Sequence, residues 1–427
     1  LKVIGRSSSF QFKGKTVDSK TVGEKLGVFY LLEGSVRKSA DRVRIAVALT
    51  KASDGANVWS DTYDRELKDI FAVQSEIAGA VAKELKVALL GKDGQAAPLT
   101  TAATPSNQNV DAYTAQLQGR FYLNRNTADD LRKAIGYFEE AIRLDPRYAL
   151  AYVGLSTAAI NLANGSAPAD REGLLAKARS SADKALELDP NLGLAHSAEA
   201  NILLNIDFDF TAAEAEYRRA LELAPQNPAV LSNFANLLGR LGRLDEAVTL
   251  THRAVALDPL RGNFHGNLAG DLVALRRYDE AEAAARKAIE LQPKAPVNYQ
   301  RLAEINILRG KPGAAVESAN QVPDSIWRTD ALALAYFAND QRAEADAALK
   351  KLIDEHADDS GSQIAEVYAL RKELDKVFEW LEHAWATHDV GVTEMLYNPF
   401  LLAYKDDPRF IAFAQKIGVM PKTAPKP

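Results

Sequence analysis

The chain has 427 residues, of which 47% are apolar and 26% charged, with a formal net charge of −5 and no cysteine. That balance excludes a disordered chain, and the small acidic surplus argues against a nucleic-acid-coating protein, which carries a basic excess. Disulfides, thiolate zinc sites and cysteine nucleophiles are excluded outright. The longest unbroken apolar run, Ala331 to Ala338, falls far short of the roughly 18–20 residues a membrane-spanning helix requires.

The opening Leu1-Lys2-Val3-Ile4 predicts a strand. With no initiator Met and no signal peptide, it reads as the C-terminal portion of a longer protein. A short helix is expected over 20–27. Two strand-like runs follow, Phe29 to Lys38 and Arg42 to Lys51, joined by Ser39-Ala40-Asp41. In the second run Val43, Ile45, Val47 and Leu49 face one way, and Arg42, Arg44, Ala46 and Ala48 the other, a half-buried strand pattern. Arg37, Lys38, Arg42 and Arg44 make a basic edge of the kind that blocks edge-to-edge pairing. A short strand around Asn57-Val58-Trp59 comes after the Ser53-Asp54-Gly55 turn. A helix from Asp69 to Leu90 then carries Ile70, Val73, Ile77, Val81, Leu85 and Leu89 near helical spacing. Residues 1–90 therefore read as a small α/β unit, and 91–109, rich in Gly, Ala, Thr and Pro, as a flexible linker.

From residue 110 the sequence repeats. Leu144-Asp145-Pro146, Leu188-Asp189-Pro190, Leu223-Ala224-Pro225, Leu257-Asp258-Pro259 and Leu291-Gln292-Pro293 place their prolines 44, 35, 34 and 34 residues apart. Alanine stands five and twelve residues before every one of these prolines: Ala141 and Ala134, Ala185 and Ala178, Ala220 and Ala213, Ala254 and Ala247, Ala288 and Ala281. Proline ends a helix because it has no N–H to donate and pushes its predecessor out of α conformation. Alanines seven apart share one helix face, and their small size lets a partner helix come close. That partner precedes each, with Ala235, Ala269 and Ala303 as its small residues. Thr211 with Glu214, Asp245 and Asp279 are the expected caps of second helices. Ten extra residues around Asn161 to Pro168 are expected to lengthen a loop.

This 34-residue helix–turn–helix unit, with its Ala/Ala/Pro positions, resembles the tetratricopeptide family. The fold class expected is mainly α: a tetratricopeptide solenoid of about eight helical hairpins over 110–390, behind a small, incomplete α/β domain. Five repeats are clear, a sixth at about 294–325 is degenerate, and looser ones follow at 326–359 and 361–389. The apolar segment Tyr397-Asn398-Pro399-Phe400-Leu401-Leu402 with Asp407-Pro408-Arg409-Phe410-Ile411 is expected to cap the end of the stack within a C-terminal cap and tail, 391–427.

The phrases Leu32-Glu33-Gly34-Ser35-Val36-Arg37, Val43-Arg44-Ile45, Trp59 with Tyr63-Asp64, and Asp69-Ile70-Phe71-Ala72-Val73-Gln74 resemble the second half of a TolB-like domain. That resemblance implies a bacterial multidomain regulator, with a nucleotide cyclase, winged-helix or kinase domain upstream.

There is no phosphate loop, strand-linked GxGxxG, HExxH or GxSxG. No cofactor, metal site or catalytic residue is expected. His383 and His388 diverge on their helix, and Trp327, Trp380 and Trp385 are expected in cores. The tetratricopeptide resemblance implies that first helices line a concave groove holding Ser232, Asn233, Asn236, Asn263, Asn267, Gln300, Arg301 and Glu304. Asn236, Asn267 and Arg301 fall at three of the five places used by chaperone-binding members to clamp a terminal carboxylate; Ser232 and Val297 stand where those have lysine. The function expected is non-catalytic recognition of a partner protein or peptide, with self-association also open, no nucleic-acid binding and no membrane insertion by this segment. The alternatives are the regulatory tail of an adenylate or guanylate cyclase, or of a winged-helix transcription regulator. The cytoplasm is slightly favoured over a periplasmic location behind an upstream anchor.

Overall fold

The computed structural model describes residues 3–90, 109–164 and 168–420. Residues 91–108 of the expected linker, the first two residues of the expected opening strand and the end of the tail lie outside the described residues, while Asn109 caps the first helix of the array. Val3 to Gly5 form no strand; α1 (Arg6–Ser9) and α2 (Ser19–Leu26) come first. Asp18 caps α2 by accepting from the Thr21 N–H.

Three antiparallel strands follow in the order β1 (Tyr30–Ser39), β2 (Arg42–Lys51) and β3 (Asn57–Glu66). The third is ten residues long, well beyond the short strand expected at Asn57-Val58-Trp59. The alternation read in β2 holds: Val43, Ile45 and Leu49 are buried while Arg42 and Arg44 are exposed. Helix α3 (Ile70–Leu90) lays Ile70, Val73 and Ile77 against Val43, Ile45 and Tyr63. Two residues of the basic edge are not free, because Arg42 and Arg44 both bind the Asp64 carboxylate at 2.8 Å.

Among the described residues the remainder is a stack of eight helical hairpins. They are α4 (Val110–Leu123) with α5 (Ala128–Leu144), α6 (Ala149–Ala163) with α7 (Pro168–Leu188), and α8 (Gly193–Ile202) with α9 (Phe210–Leu223). Next come α10 (Pro228–Arg240) with α11 (Leu244–Leu257), α12 (Gly262–Ala274) with α13 (Tyr278–Leu291), and α14 (Pro296–Leu308) with α15 (Pro312–Gln321). The last are α16 (Ile326–Ala338) with α17 (Arg342–His356), and α18 (Gly361–Arg371) with α19 (Leu374–Ala386). All ten alanines of the periodic pattern are 0% exposed, which is the close approach their size permits. Gly242, Arg276 and Gly310 take the same left-handed corner between paired helices, 34 residues apart, where glycine alone is unstrained.

Local details differ from expectation for identifiable reasons. The ten extra residues of the second repeat mostly extend α7, which runs 21 residues against 14 for α11; residues 165–167 of the expected loop lie outside the described residues. The cap of α9 is Asp209, not Thr211, its carboxylate accepting the Ala212 N–H at 2.9 Å. At α11 and α13, Arg243 and Arg277 stand at the cap and bind Glu246 and Glu280, each at 2.7 Å, leaving Asp245 and Asp279 as favourable charges in the first turn. Trp380 and Trp385 pack partly buried against the main core, and Trp327 against a smaller one.

The N-terminal segment docks on the stack at the turn between α11 and α12. Gly5 N–H donates to Leu257 O at 2.6 Å, and Ser8 N–H to Asp258 Oδ1 at 2.9 Å. The Ser8 hydroxyl also donates to Asp258 and accepts from Leu260 N–H at 2.7 Å. Val22, Leu26, Leu31 and Ala52 close an apolar contact with Leu260.

At the other end, α20 (Pro408–Lys416) covers α19, with Arg409 on Asp375 at 2.9 Å and over the Phe378 ring at 4.6 Å. The residues before it depart from a simple end cap. One continuous core joins Val392, Met395, Leu396, Phe400 and Leu401 to Leu204, Phe210, Leu231 and Leu238 as well as to Ile364 and Leu381. The stack curves far enough that Phe208 meets Trp385 at 5.5 Å, so apolar residues leaving the last hairpin find more surface inside the curve than beyond its end. Replacing Ala254 with Leu forces a larger side chain into a fully packed helix contact and is expected to destabilise the fold by about 1–3 kcal/mol, measured as a lowered denaturant midpoint with an unchanged m-value.

Candidate functional site

The first helices α10, α12, α14, α16 and α18 line the inside of the curve, and their polar residues form a ladder. Asn233 donates from Nδ2 to Ser197 Oγ at 3.2 Å, and Asn267 repeats the bond to Ser232 Oγ at 3.0 Å. Gln300 Nε2 donates to Asp330 Oδ2 at 2.8 Å. Asn236 and Asn263 are exposed, Asn233 and Asn267 half-buried, and Ser232 and Gln300 buried.

Arg301 is not a free fork: its guanidinium binds Glu304 one helical turn away at 2.7 Å, with only 17% of the Arg side chain and 3% of the Glu side chain exposed. The structure thus brings Asn267 and Arg301 to one place and leaves Asn236 on the exposed rim.

What covers that place is the chain's own Tyr397. Its ring lies 5.8 Å from the Arg301 guanidinium, and its hydroxyl lies 3.5 Å from Asn267 O. The ring rests on two helical glycines, Gly239 in the last turn of α10 and Gly270 inside α12. A Cβ at Gly239 would stand 3.1 Å from Tyr397 Cδ2, and one at Gly270 would coincide with the Tyr397 hydroxyl. Beside the ring, Arg240 donates to Thr393 Oγ1 at 3.0 Å and reaches Glu394 at 3.5 Å.

Beneath this segment sits a cluster of carboxylates in very little water. Asp271, Glu304, Asp330 and Glu366 are all at most 4% exposed. Thr251 Oγ1 donates to Asp271 at 2.7 Å, while Asp330 Oδ1 and Glu366 Oε1 have no partner. Burial pushes Asp271 up to about 7, and burial with the Glu304 charge pushes Asp330 up to about 8. Burial and then Asp330 and Glu304 hold Glu366 far above the ordinary carboxyl range, although Asn398 bonds to it. Glu304 is raised by burial against the pull of Arg301. For Arg301 burial works toward losing the proton, but Glu304, Tyr397, Glu394 and Glu366 outweigh it and keep the charge. One firmly held cation, paired with Glu304, therefore faces Asp271, Asp330 and Glu366, whose carboxyls hold their protons more firmly than usual.

Sequence reasoning missed Gly239, Gly270, Asp271, Asp330 and Glu366, and assigned Tyr397 to an end cap. The available signal was glycine and single carboxylates interrupting otherwise apolar helices, as in Leu268-Ala269-Gly270-Asp271-Leu272, where both residue types weaken a helix. Elsewhere, His383 Nε2 lies 3.1 Å from Ala357 O, and His388 stacks near Phe208. A hollow of about 600 Å³ on the outer face of the sheet is lined by Glu33, Ser35, Ser60 and Asp61, among others. Among the described residues no group of acids and histidines has the arrangement of a metal site, and no helix is long and apolar enough to cross a membrane.

These acids set a pH dependence with a definite sign. Asp271, Asp330 and Glu366 each keep a proton in the folded chain after the unfolded chain has released it. Their contribution is therefore complete below the ordinary carboxyl pKa of about 4 and is lost as pH rises to about 8. Arg301, which faces them, keeps its charge throughout that window. Tm is expected to fall between about pH 5 and about pH 8.5, and Asp330→Asn to flatten that fall, in thermal unfolding followed by circular dichroism across the range.

Two family models described as tetratricopeptide repeats match residues 205–269 and 267–294. A protein named putative adenylate cyclase 3, from Rhizobium meliloti (strain 1021), is 36% identical over 172 residues, which is 39% of this chain and 28% of that protein. The chain thus spans well under half the length of this relative. Among solved structures, the Pseudomonas aeruginosa pilF protein is 20% identical, covering 53% of this chain and 98% of its own, with a TM-score of 0.40. A tetratricopeptide repeat protein from Parabacteroides merdae is 17% identical, covering 62% and 100%, with a TM-score of 0.39. The helical array, with its period, its buried alanines and its matched segments, is built of tetratricopeptide repeats, a mainly α solenoid behind a small α/β unit.

Proposed function

We propose that this chain is a non-catalytic interaction and regulatory module that binds a partner protein or peptide on the concave side of its repeats. The observation that carries the reading is the ladder of amides and hydroxyls on successive first helices, Ser232, Asn233, Asn236, Asn263 and Asn267, with Asn236 and Asn263 open to solvent. Hydrogen-bonding groups recurring at the repeat spacing suit an extended backbone laid across the helices. The tetratricopeptide fold, typically non-catalytic, supports the same reading. Gln300, Arg301 and Glu304 belong to the deeper floor of that groove.

The likeness to a putative adenylate cyclase favours a more specific version. In it, the repeats are the regulatory C-terminal region of a nucleotide cyclase, coupled to it through the TolB-like unit and working in the cytoplasm. The winged-helix alternative, and a periplasmic location behind an upstream anchor, rest on the sequence resemblance alone.

The test is retention from a bacterial lysate on the immobilised chain, compared with an Asn236→Ala, Asn263→Ala double variant. Both side chains are exposed, so the substitutions leave the core intact. A specifically retained protein is expected to drop by about tenfold, near 1.4 kcal/mol. Equal retention rejects the groove and points to the convex face, the N-terminal unit or self-association.

A further inference from the structure

The segment across the groove differs from the core it joins in how it is held. In residues 390–404 the backbone hydrogen bonds are local: Val392 to Asp389, Tyr397 and Asn398 to Glu394, Leu402 to Asn398, and Lys405 and Asp407 back to Leu402 and Tyr404. No backbone bond ties these residues to α10, α12, α14 or α16 among the described residues. The hold on the groove comes from side chains: Tyr397 on Gly239 and Gly270, Thr393 on Arg240, Asn398 on Glu366, and the apolar Val392, Met395, Leu396, Phe400 and Leu401 in the shared core.

The seat is also costly to keep if it serves stability alone. A glycine in mid-helix loses about 0.5–1 kcal/mol against alanine, and Gly270 sits inside α12. The floor contains Asp330 Oδ1 and Glu366 Oε1, buried and unpartnered, around the single charge of Arg301. Apolar residues would fill such a floor more stably. A shaped hollow with spare hydrogen-bonding capacity is the property of a binding surface.

We propose that residues 390–404 are a resident ligand of the concave groove, and that the groove takes a partner peptide of the same chemistry, an aromatic ring followed by Asn-Pro and a second aromatic, when Tyr397 leaves its seat. The resident sequence Tyr397-Asn398-Pro399-Phe400 supplies the pattern: a ring over the glycines, an amide onto the buried acid, a proline that fixes the turn, and a second ring in the apolar core. The inference rests on the concave face being the recognition surface. It adds that the deep part of that face is closed by the chain itself.

The test uses the full chain and a fluorescent synthetic peptide spanning residues 392–404. Wild type is expected to bind weakly, because only the open fraction is competent. Tyr397→Ala is expected to bind at least about tenfold more tightly. Gly270→Ala is the discriminating variant: it expels Tyr397 from the other side, so the segment loses hydrogen-exchange protection, yet it fills the seat and the peptide should not bind. Equal peptide binding by wild type and Tyr397→Ala, or tight binding by Gly270→Ala, overturns the proposal. If Tyr397→Ala does not fold, exchange in the wild-type chain decides. Opening of 390–404 below the global unfolding free energy supports the proposal, and exchange only through global unfolding rejects it. Dimerisation of wild type that Tyr397→Ala abolishes makes a second copy the occupant and overturns the assignment to a foreign peptide. Lysate retention that survives the Asn236/Asn263 substitutions, together with peptide exchange at Tyr397, would remove the groove's proposed partner but leave the resident ligand standing.

Discussion

The approach of two helices at an alanine governs this molecule. On the second helix of each clear repeat, two alanines a double turn apart present almost no side chain, and the neighbouring helix comes in until every one of the ten is sealed. That distance sets how tightly hairpins nest, and repeated nesting at one spacing produces a regular curve. Because the curve continues through the later hairpins, the third comes within reach of the eighth, as Phe208 and Trp385 show. An inner face then exists that no single repeat possesses.

That inner face has an unusual electrostatic character. One guanidinium and four carboxyls from four different helices meet in a space that excludes water. Low polarisability makes each added charge expensive, so the cluster settles with Arg301 charged and the acids tending to keep their protons. Tyr397 completes the enclosure. Its own hydroxyl is pushed up by burial and by Asp271, so it stays a neutral donor.

The N-terminal unit is attached by different means. The Asp258 side chain, at the turn that closes the fourth clear repeat, collects both the backbone N–H and the hydroxyl of Ser8. Gly5 lies so close that a Cβ there would stand 2.6 Å from the Asp258 carboxyl carbon. Asp258 belongs to the Leu-Asp-Pro phrase by which the repeat is recognised, so one of the turns that end repeats also anchors the small domain.

Repeat length, helix pairing, the small-residue contacts and the inward face of β2 were all legible in the residues, because each depends on neighbours within one or two turns or one strand. Proline position, alanine spacing and strict alternation act locally and need no knowledge of the curve. The polar ladder was also within reach, since Asn233 and Asn267 recur at the repeat period. The covering of Arg301 by Tyr397, the seat beneath that ring and the contact of Ser8 with Asp258 were not legible. They join residues about 100 to 250 positions apart, and the curvature that brings them together is a sum of small rotations over all the hairpins. A tyrosine after the last repeat reads the same whether it covers an end or fills a groove; only the closure of the stack around Gly239 and Gly270 assigns it to the groove.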